Sequence, residues 1–285
     1  MPSDDWHLTQ DLDAFLDRAG AFLRSEPALH TVPLTVTENL RTRGPHLYGD
    51  GTPQFGYLER AGTVRAAFFR TPPHWLNVTA LTAEEAETLA ARLAALGEHL
   101  PGVNAAQDTA AAFAAAWQRH TGAAATLTLR QRLYRLGTLT VPEPVPPGRP
   151  RVADAADRAL LVRWFVEFTE AVGTGVGQDP GEWADARVAR GDVSFWETPD
   201  GTPVAMAGTT PEVAGQVRVA GVYTPPHLRG RGYAGAVTAE VSRAARAAGV
   251  REILLFTDLA NPTSNALYQR IGYRPVADFA VYDFT

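Results

Sequence analysis

The chain has 285 residues, 45% of them apolar and 20% charged, with a formal net charge of −5. That is enough apolar chain for one large core or two ordinary ones, while the acidic balance offers no broad basic surface for nucleic acid, whose affinity rests on many Lys and Arg contacts to phosphate. There is no cysteine, which excludes disulfides and thiol nucleophiles.

The amino terminus, Met1-Pro-Ser-Asp-Asp-Trp-His7, lacks a basic and then apolar leader, and no apolar run reaches the length of a membrane span. A soluble cytoplasmic protein with no membrane partner is the expectation. The seven histidines show no metal-ligand spacing, so no metal is expected. Heavy use of Ala, Arg, Gly and Pro is associated with GC-rich bacterial genomes.

In chain order, the spacing of apolar residues predicts an opening helix near Leu12–Leu23, then a strand pair at Phe55–Arg60 and Val64–Phe69. A further strand covers Trp75–Ala80, and two Ala-rich helices follow near Ala83–Leu96 and Ala105–His120. The stretch Thr140–Pro150 has five prolines and a glycine. It cannot sustain a helix or a central strand and reads as an extended tether, which puts a domain boundary at 142–150.

Beyond it, Leu160, Leu161, Trp164, Phe165 and Phe168 recur at helical spacing within Ala155–Val172. A second helical piece covers Pro180–Arg190. Val193–Glu197 and Val204–Ala207 flank a Pro-Asp-Gly-Thr turn and read as a hairpin, and Gly215–Tyr223 supplies another strand.

The most informative segment comes next, where Val219-Ala-Gly-Val-Tyr223 runs through Thr224-Pro-Pro-His-Leu-Arg229 into Gly230-Arg-Gly-Tyr-Ala-Gly235. Strand, basic glycine loop and helix in that order build an anion site. A helix start leaves backbone N–H groups without partners, and glycines allow sharp turning and close approach. Tyr233, Val237, Val241, Ala244 and Ala248 mark one face of the following helix, which Gly249 ends. Ile253–Phe256 reads as a strand parallel to Val219–Tyr223, placing the loop in a βαβ unit. Asn261 or a neighbouring Ser/Thr caps a last helix, with Pro262 at its first turn and Gly272 at its end. Tyr273–Phe284 is the final strand.

Two blocks, Arg229-Gly-Arg-Gly-Tyr-Ala234 and Asn261-Pro-Thr-Ser-Asn-Ala-Leu-Tyr268-Gln-Arg-Ile-Gly-Tyr273, resemble the GNAT superfamily of acetyl-CoA-dependent N-acetyltransferases over roughly residues 150–285. The family's loop has the form Gln/Arg-x-x-Gly-x-Gly/Ala, and Arg229, Gly232 and Ala234 fill its positions. The resemblance implies an α/β fold with a mixed, mostly antiparallel sheet flanked by helices. It also implies acetyl transfer from acetyl-CoA to an amine of a small molecule or peptide by direct attack in a ternary complex. By resemblance, the amides from Gly230 through Arg231, Gly232, Tyr233 and Ala234 to Gly235 hold the pyrophosphate of coenzyme A. Arg229 and Arg231 add charge to the same spot. The strand edge at Val222, Tyr223 and Thr224, with Asn261 and Ser264, meets the pantetheine arm, and Tyr268 protonates the departing thiolate.

Many relatives keep a glutamate on the strand before the loop, and Gly215–Thr224 has no carboxylate. Asp258, Glu167, Glu170, Glu197 and an ordered water remain open as the base. Trp164, Phe168, Glu167, Glu170 and the Gly173–Gly177 turn are candidates for the acceptor side, while His227 reads as a surface residue. In the first half, the place of the glycine loop is taken by Thr79-Ala-Leu-Thr-Ala-Glu-Glu-Ala86, acidic and without glycine. An acidic helix start repels phosphate, so residues 1–141 are expected to form a degenerate GNAT-like domain that binds no coenzyme A, with the transferase domain at 151–285.

Two alternatives accompany this expectation. Gly230-Arg-Gly232-Tyr-Ala-Gly235 also spells the dinucleotide fingerprint G-x-G-x-x-G, but Thr224–Arg229 separate strand from loop, and only residues 236–285 follow. A non-catalytic sensor of acyl-CoA is the other.

Overall fold

A computed structural model describes residues 5–173 and 179–285. The first half runs β1 (Asp5–Thr9), α1 (Leu12–Ser25), α2 (Thr31–Arg43), β2 (Gln54–Arg60), β3 (Thr63–Arg70), β4 (Leu76–Val78), α3 (Ala83–Ala95), β5 (Gly102–Ala106), α4 (Gln107–Thr121) and β6 (Ala125–Leu136). The second runs β7 (Arg149–Val152), α5 (Arg158–Val172), α6 (Pro180–Arg190), β8 (Val193–Glu197), β9 (Pro203–Thr209), β10 (Gln216–Tyr223), α7 (Tyr233–Ala247), β11 (Glu252–Asp258), α8 (Pro262–Ile271) and β12 (Tyr273–Phe284). The two halves repeat one order of elements. In both, the third and fourth hairpin-side strands follow the same rule: β4 pairs parallel with β5, and β10 pairs parallel with β11.

The chain forms two compact units. One comprises the residues up to Leu133 with Thr257–Ala260 and Val276–Thr285; the other comprises Tyr134–Phe256 and Asn261–Pro275. These units divide the chain differently from the expected boundaries at 142–150 and 285. Residues 276–285, assigned from sequence to the second domain, pair antiparallel with β5, with Phe279 opposite Ala106 and Tyr282 opposite Val103. Backbone pairing with a strand far away in the chain decides their membership.

The proline segment also departs from a free tether. Gly137 N–H donates to Gly272 O (3.0 Å) and Thr140 N–H to Ile271 O (2.8 Å), while Trp196 Nε1 donates to Pro147 O (3.4 Å). Pro142 and Pro146 lie against α7, within 3.3 and 3.7 Å of where a Cβ on Gly235 and Gly232 would sit. Prolines cost little entropy when fixed, and here they pack as part of the second unit.

In the first unit, Asp11 caps α1 by accepting from Ala14 N–H (3.0 Å), and the helix buries Phe15, Ala19 and Leu23. Phe15 stacks on Phe55 at 5.1 Å. On α3 and α4, Leu89, Leu93, Phe113 and Trp117 enter one core with Phe284 of β12. The sequence reading missed β1, α2, β5, β6 and β7. Residues 105–106, expected in a helix, instead end β5, because Ala and Asn in Gly102–Ala106 carry little strand propensity and only pairing reveals it.

In the second unit the strand order is β7-β8-β9-β10-β11, antiparallel up to the parallel β10–β11 pair. Alternation along the strands serves two cores. Phe195, Met206 and Tyr223 stand opposite one another across β8, β9 and β10 and share a core with Trp164, Phe165 and Trp183 of α5 and α6. Val217, Val219, Ile253 and Leu255 pack with Val237 and Val241 of α7 and Ile271 of α8. Among the described residues, no helix is long and apolar enough to cross a membrane.

Candidate active site

Strand β10 is paired unequally along its two edges. On one side it follows β9 as far as Tyr223, with a register shift between Ala220 and Tyr223; on the other its parallel pairing with β11 stops at Arg218 opposite Leu254. Past that point, from Val219 onward, β10 has no further ladder pairing with β11 among the described residues. Val222 packs toward the α7–α8 core, whereas Tyr223 belongs to the α5 core. The strand thus presents neighbouring side chains to opposite sides.

After Tyr223 the chain makes a 3-10 turn at Pro226–Leu228 and then the glycine loop. Arg229 Nε donates to Thr224 O (3.0 Å) and Arg231 Nη2 to His227 O (3.3 Å), so both guanidinium groups are tied to the loop's own backbone. Gly230 and Gly232 have φ of 77° and 85°, a region that side chains disfavour. Gly232 is the N-cap of α7 and supplies no side-chain cap. The first bond closing the helix is Ala236 N–H to Gly232 O (3.1 Å), so Tyr233, Ala234 and Gly235 keep free N–H groups among the described residues. Open amides and a helix dipole, with two arginines alongside, are features that suit an anion.

Asn261 caps α8, its Oδ1 accepting from Ser264 N–H (3.0 Å). The two residues named for the pantetheine arm therefore build one turn, which leaves the Asn261 amide nitrogen to donate. Tyr268 is 8% exposed and packs edge-on against Tyr273 at 6.1 Å. It shares the α7–α8 core with Val222 and Tyr233 at its margin. Burial pushes its pKa up to about 12, so the hydroxyl stays protonated and able to donate at neutral pH. Thr224, 8% exposed, has a buried Oγ1 without a hydrogen-bond partner. An unpaired buried hydroxyl costs about 1–3 kcal/mol, and a ligand that reaches it removes that cost.

Beside the loop lies a cavity of about 690 Å3. Arg163, Trp164, Glu167 and Glu170 of α5 form one wall; Tyr223, Pro226, His227 and Arg229 form the other. Tyr223 Oη donates to Glu167 Oε2 at 2.7 Å. Burial first, and then that carboxylate, push the Tyr223 pKa up to about 12.

Of the acceptor-side candidates, Trp164, Glu167 and Glu170 reach this cavity. Phe168 packs against the aromatic core instead. The turn proposed at Gly173–Gly177 falls, after Gly173, outside the described residues. Glu197 is 4% exposed and is held by Arg151, which also grips Asp157 at 2.6 Å, so it serves as a structural anchor. Asp258 accepts from Ala260 N–H (2.8 Å) in the turn after β11. His227, read as a plain surface residue, is exposed but walls the cavity. Sequence reading also missed Arg163, although its four-residue step to Glu167 was visible. No group of three or more His, Asp or Glu that could hold a metal occurs among the described residues.

The model of the acetyltransferase (GNAT) family matches residues 157–273. No curated protein matches the chain. Solved structures match along almost its whole length. An acetyltransferase of the GNAT family from Colwellia psychrerythraea is 12% identical with a TM-score of 0.62, covering 99% of this chain and 100% of its own. A GCN5-related N-acetyltransferase from Sphaerobacter thermophilus is 17% identical with a TM-score of 0.66, covering 99% and 96%. A tandem GNAT protein from the clavulanic acid biosynthesis pathway is 14% identical with a TM-score of 0.58, covering 99% and 98%. These identities speak to fold alone, and the fold they share is the mixed α/β architecture expected from the sequence. The uncapped α7 start lies within the matched segment: residues 157–273 of this chain carry a domain of the GNAT acetyltransferase family.

Proposed function

We propose that the second half transfers an acetyl group from acetyl-CoA to an amine by direct attack in a ternary complex. The observation that carries this is the row of free N–H groups at the start of α7, flanked by Arg229 and Arg231, which suits a diphosphate. The β10 edge from Val222 to Thr224 suits an amide-bearing arm, and the unpaired Thr224 hydroxyl fits a ligand that brings a polar partner. Asn261 and Ser264 border the same arm.

Acyl transfer to an amine asks for positioning more than covalent chemistry. Free N–H groups on the strand edge near Val222 and Tyr223 would stabilise the developing oxyanion. Tyr268, protonated by virtue of its burial, would give its proton to the departing thiolate. The cavity between α5 and the His227 loop would receive the acceptor. A chamber of that kind next to the anion cradle favours an enzyme over a sensor of acyl-CoA, and the six residues between β10 and Gly230 disfavour a dinucleotide site.

The first half would bind no coenzyme, because its equivalent helix start is capped and acidic. Calorimetry of the full chain with acetyl-CoA and with NADH, followed by thiol release over a panel of amines, tests the whole proposal. Saturable heat with acetyl-CoA and amine-dependent thiol release is the expected result. Heat with NADH alone would overturn it, and acetyl-CoA binding without turnover on any amine would leave the sensor.

A further inference from the structure

Several charges among the described residues find partners. Arg41 pairs with Glu38 and Arg243 with Glu240 along their helices, Arg158 with Asp185 across α5 and α6, and Arg151 with both Asp157 and Glu197. In the cavity beside the glycine loop, charges of both signs share one helical face without pairing. Arg163, Glu167 and Glu170 stand at i, i+4 and i+7 on α5, one helical face directed at a single chamber of about 690 Å3.

Arg163 and Glu167 have the spacing of a helical ion pair, yet none forms. Glu167 is turned instead to Tyr223, whose hydroxyl donates to Oε2 at 2.7 Å. Tyr223 is itself fixed: it is 5% exposed, stands opposite Met206, and meets the edge of Trp164 at 5.9 Å. The tyrosine holds the carboxylate away from the arginine. Arg163 and Glu170 make no hydrogen bond or ion pair to any described residue. One open chamber therefore displays a free guanidinium and a tethered carboxylate one helical turn apart.

We infer that the acceptor is a small amine that also carries a carboxylate, of the size of an amino acid, with its ammonium group on Glu167 and its carboxylate on Arg163. Unpaired charges of both signs suit a ligand with both signs, and a guanidinium suits a carboxylate through paired N–H donors. Glu170, at the far end of the same face, adds negative potential on the ammonium side. The proposal rests on the acetyltransferase assignment made above and deepens it.

The proton accounting is simple. The acceptor enters as an ammonium and passes one proton to Glu167, which releases it to water. The neutral nitrogen forms the N–C bond as the C–S bond breaks, the thiolate takes the Tyr268 proton, and the second proton from nitrogen restores Tyr268 through solvent. Ammonium and thioester thus give amide, thiol and one proton. Glu167 touches the reacting nitrogen; Tyr223 acts through Glu167 and is a positioning residue.

The test measures thiol release by the full chain with each proteinogenic amino acid and with its carboxamide, which keeps the amine and removes the charge. For the best pair, kcat/KM is expected to favour the free acid by about tenfold to a hundredfold, the worth of a charge-assisted contact. Arg163→Ala should bring that ratio to near one by raising the acceptor KM, and Arg163→Lys should restore part of it. Tyr223→Phe should raise the acceptor KM more than it lowers kcat, whereas a purely structural role would lower the melting temperature and acetyl-CoA affinity together. Carboxamides or plain amines turned over as well as the free acids, or a ratio indifferent to Arg163→Ala in a folded variant, would overturn the inference while leaving the transferase intact. Thiol release with no amine at all would instead remove the transferase assignment, and the inference with it.

Discussion

Two helix starts occupy equivalent places in the repeated order of elements, and they are built in opposite ways. At α3, Thr82 Oγ1 accepts from Glu85 N–H (3.2 Å) and Glu85 Oε2 accepts from Thr82 N–H (2.8 Å), a closed capping box with Glu84 alongside. At α7, Gly232 offers no side chain, the next three N–H groups stay open, and the neighbouring charges are arginines. The first start satisfies its own amides beside acidic side chains, which disfavours anions, whereas the second leaves its amides open, as the proposed coenzyme site requires. Stability and binding compete for the same few N–H groups, and on the proposed reading each half favours a different one.

The comparison breaks most sharply at Gly232. Gly232→Asp places a carboxylate in the cradle and a side chain at φ 85°, and acetyl-CoA affinity measured by calorimetry should fall by about a hundredfold or more. Unchanged affinity in a folded variant would remove the loop from the site. Tyr268→Phe should lower kcat by about a hundredfold with little change in acetyl-CoA affinity, since a general acid contributes to turnover and not to binding. Its hydroxyl keeps its proton up to a pKa of about 12, so steady-state profiles should show no basic limb from this residue below pH 10. A Phe variant with full kcat would reduce Tyr268 to a core residue.

Acid gives a third handle. The Arg151 guanidinium holds the Asp157 carboxyl below the usual carboxylate range. A depressed folded pKa means that the stability it contributes is present above the unfolded value near 4, and is lost as pH falls through the folded value. Asp157→Asn should therefore cost about 2 kcal/mol in urea unfolding at pH 7 and flatten the decline below pH 4. A variant with the parent's acid slope would point to another carboxylate. The smallest effect belongs to the capped start: Thr82→Ala should cost about 1 kcal/mol of stability and leave acetyl-CoA binding untouched. A drop in affinity there would mean that the first half also takes part in binding.

Local chemistry was legible in the sequence, and long-range pairing was not. The cradle could be read because glycines, arginines and the strand-to-helix change sit in one short window, and Asn261, Pro262 and Gly272 mark α8 by cap, first turn and left-handed end as expected. The hairpin strands and α6 were equally plain. By contrast, β5 reads Gly-Val-Asn-Ala-Ala, whose strand character comes from its neighbours, whereas the Thr/Leu alternation that opens β6 was a signal the sequence did carry. The membership of Val276–Thr285 depends on a partner strand more than a hundred residues away. Five prolines announced the end of one element order, yet not that Pro142 and Pro146 would pack on α7. The cavity proposed for the acceptor was half visible: Trp164, Glu167 and Glu170 came from the family resemblance, which puts the first helices beside the acceptor, while the Tyr223–Glu167 bond required the fold.

The number of acetyl-CoA molecules bound per chain tests the contrast between the two helix starts most directly. Titration calorimetry on the full-length protein should give one saturable site, abolished by Gly232→Asp. Two sites, or one site that survives this substitution, would contradict it.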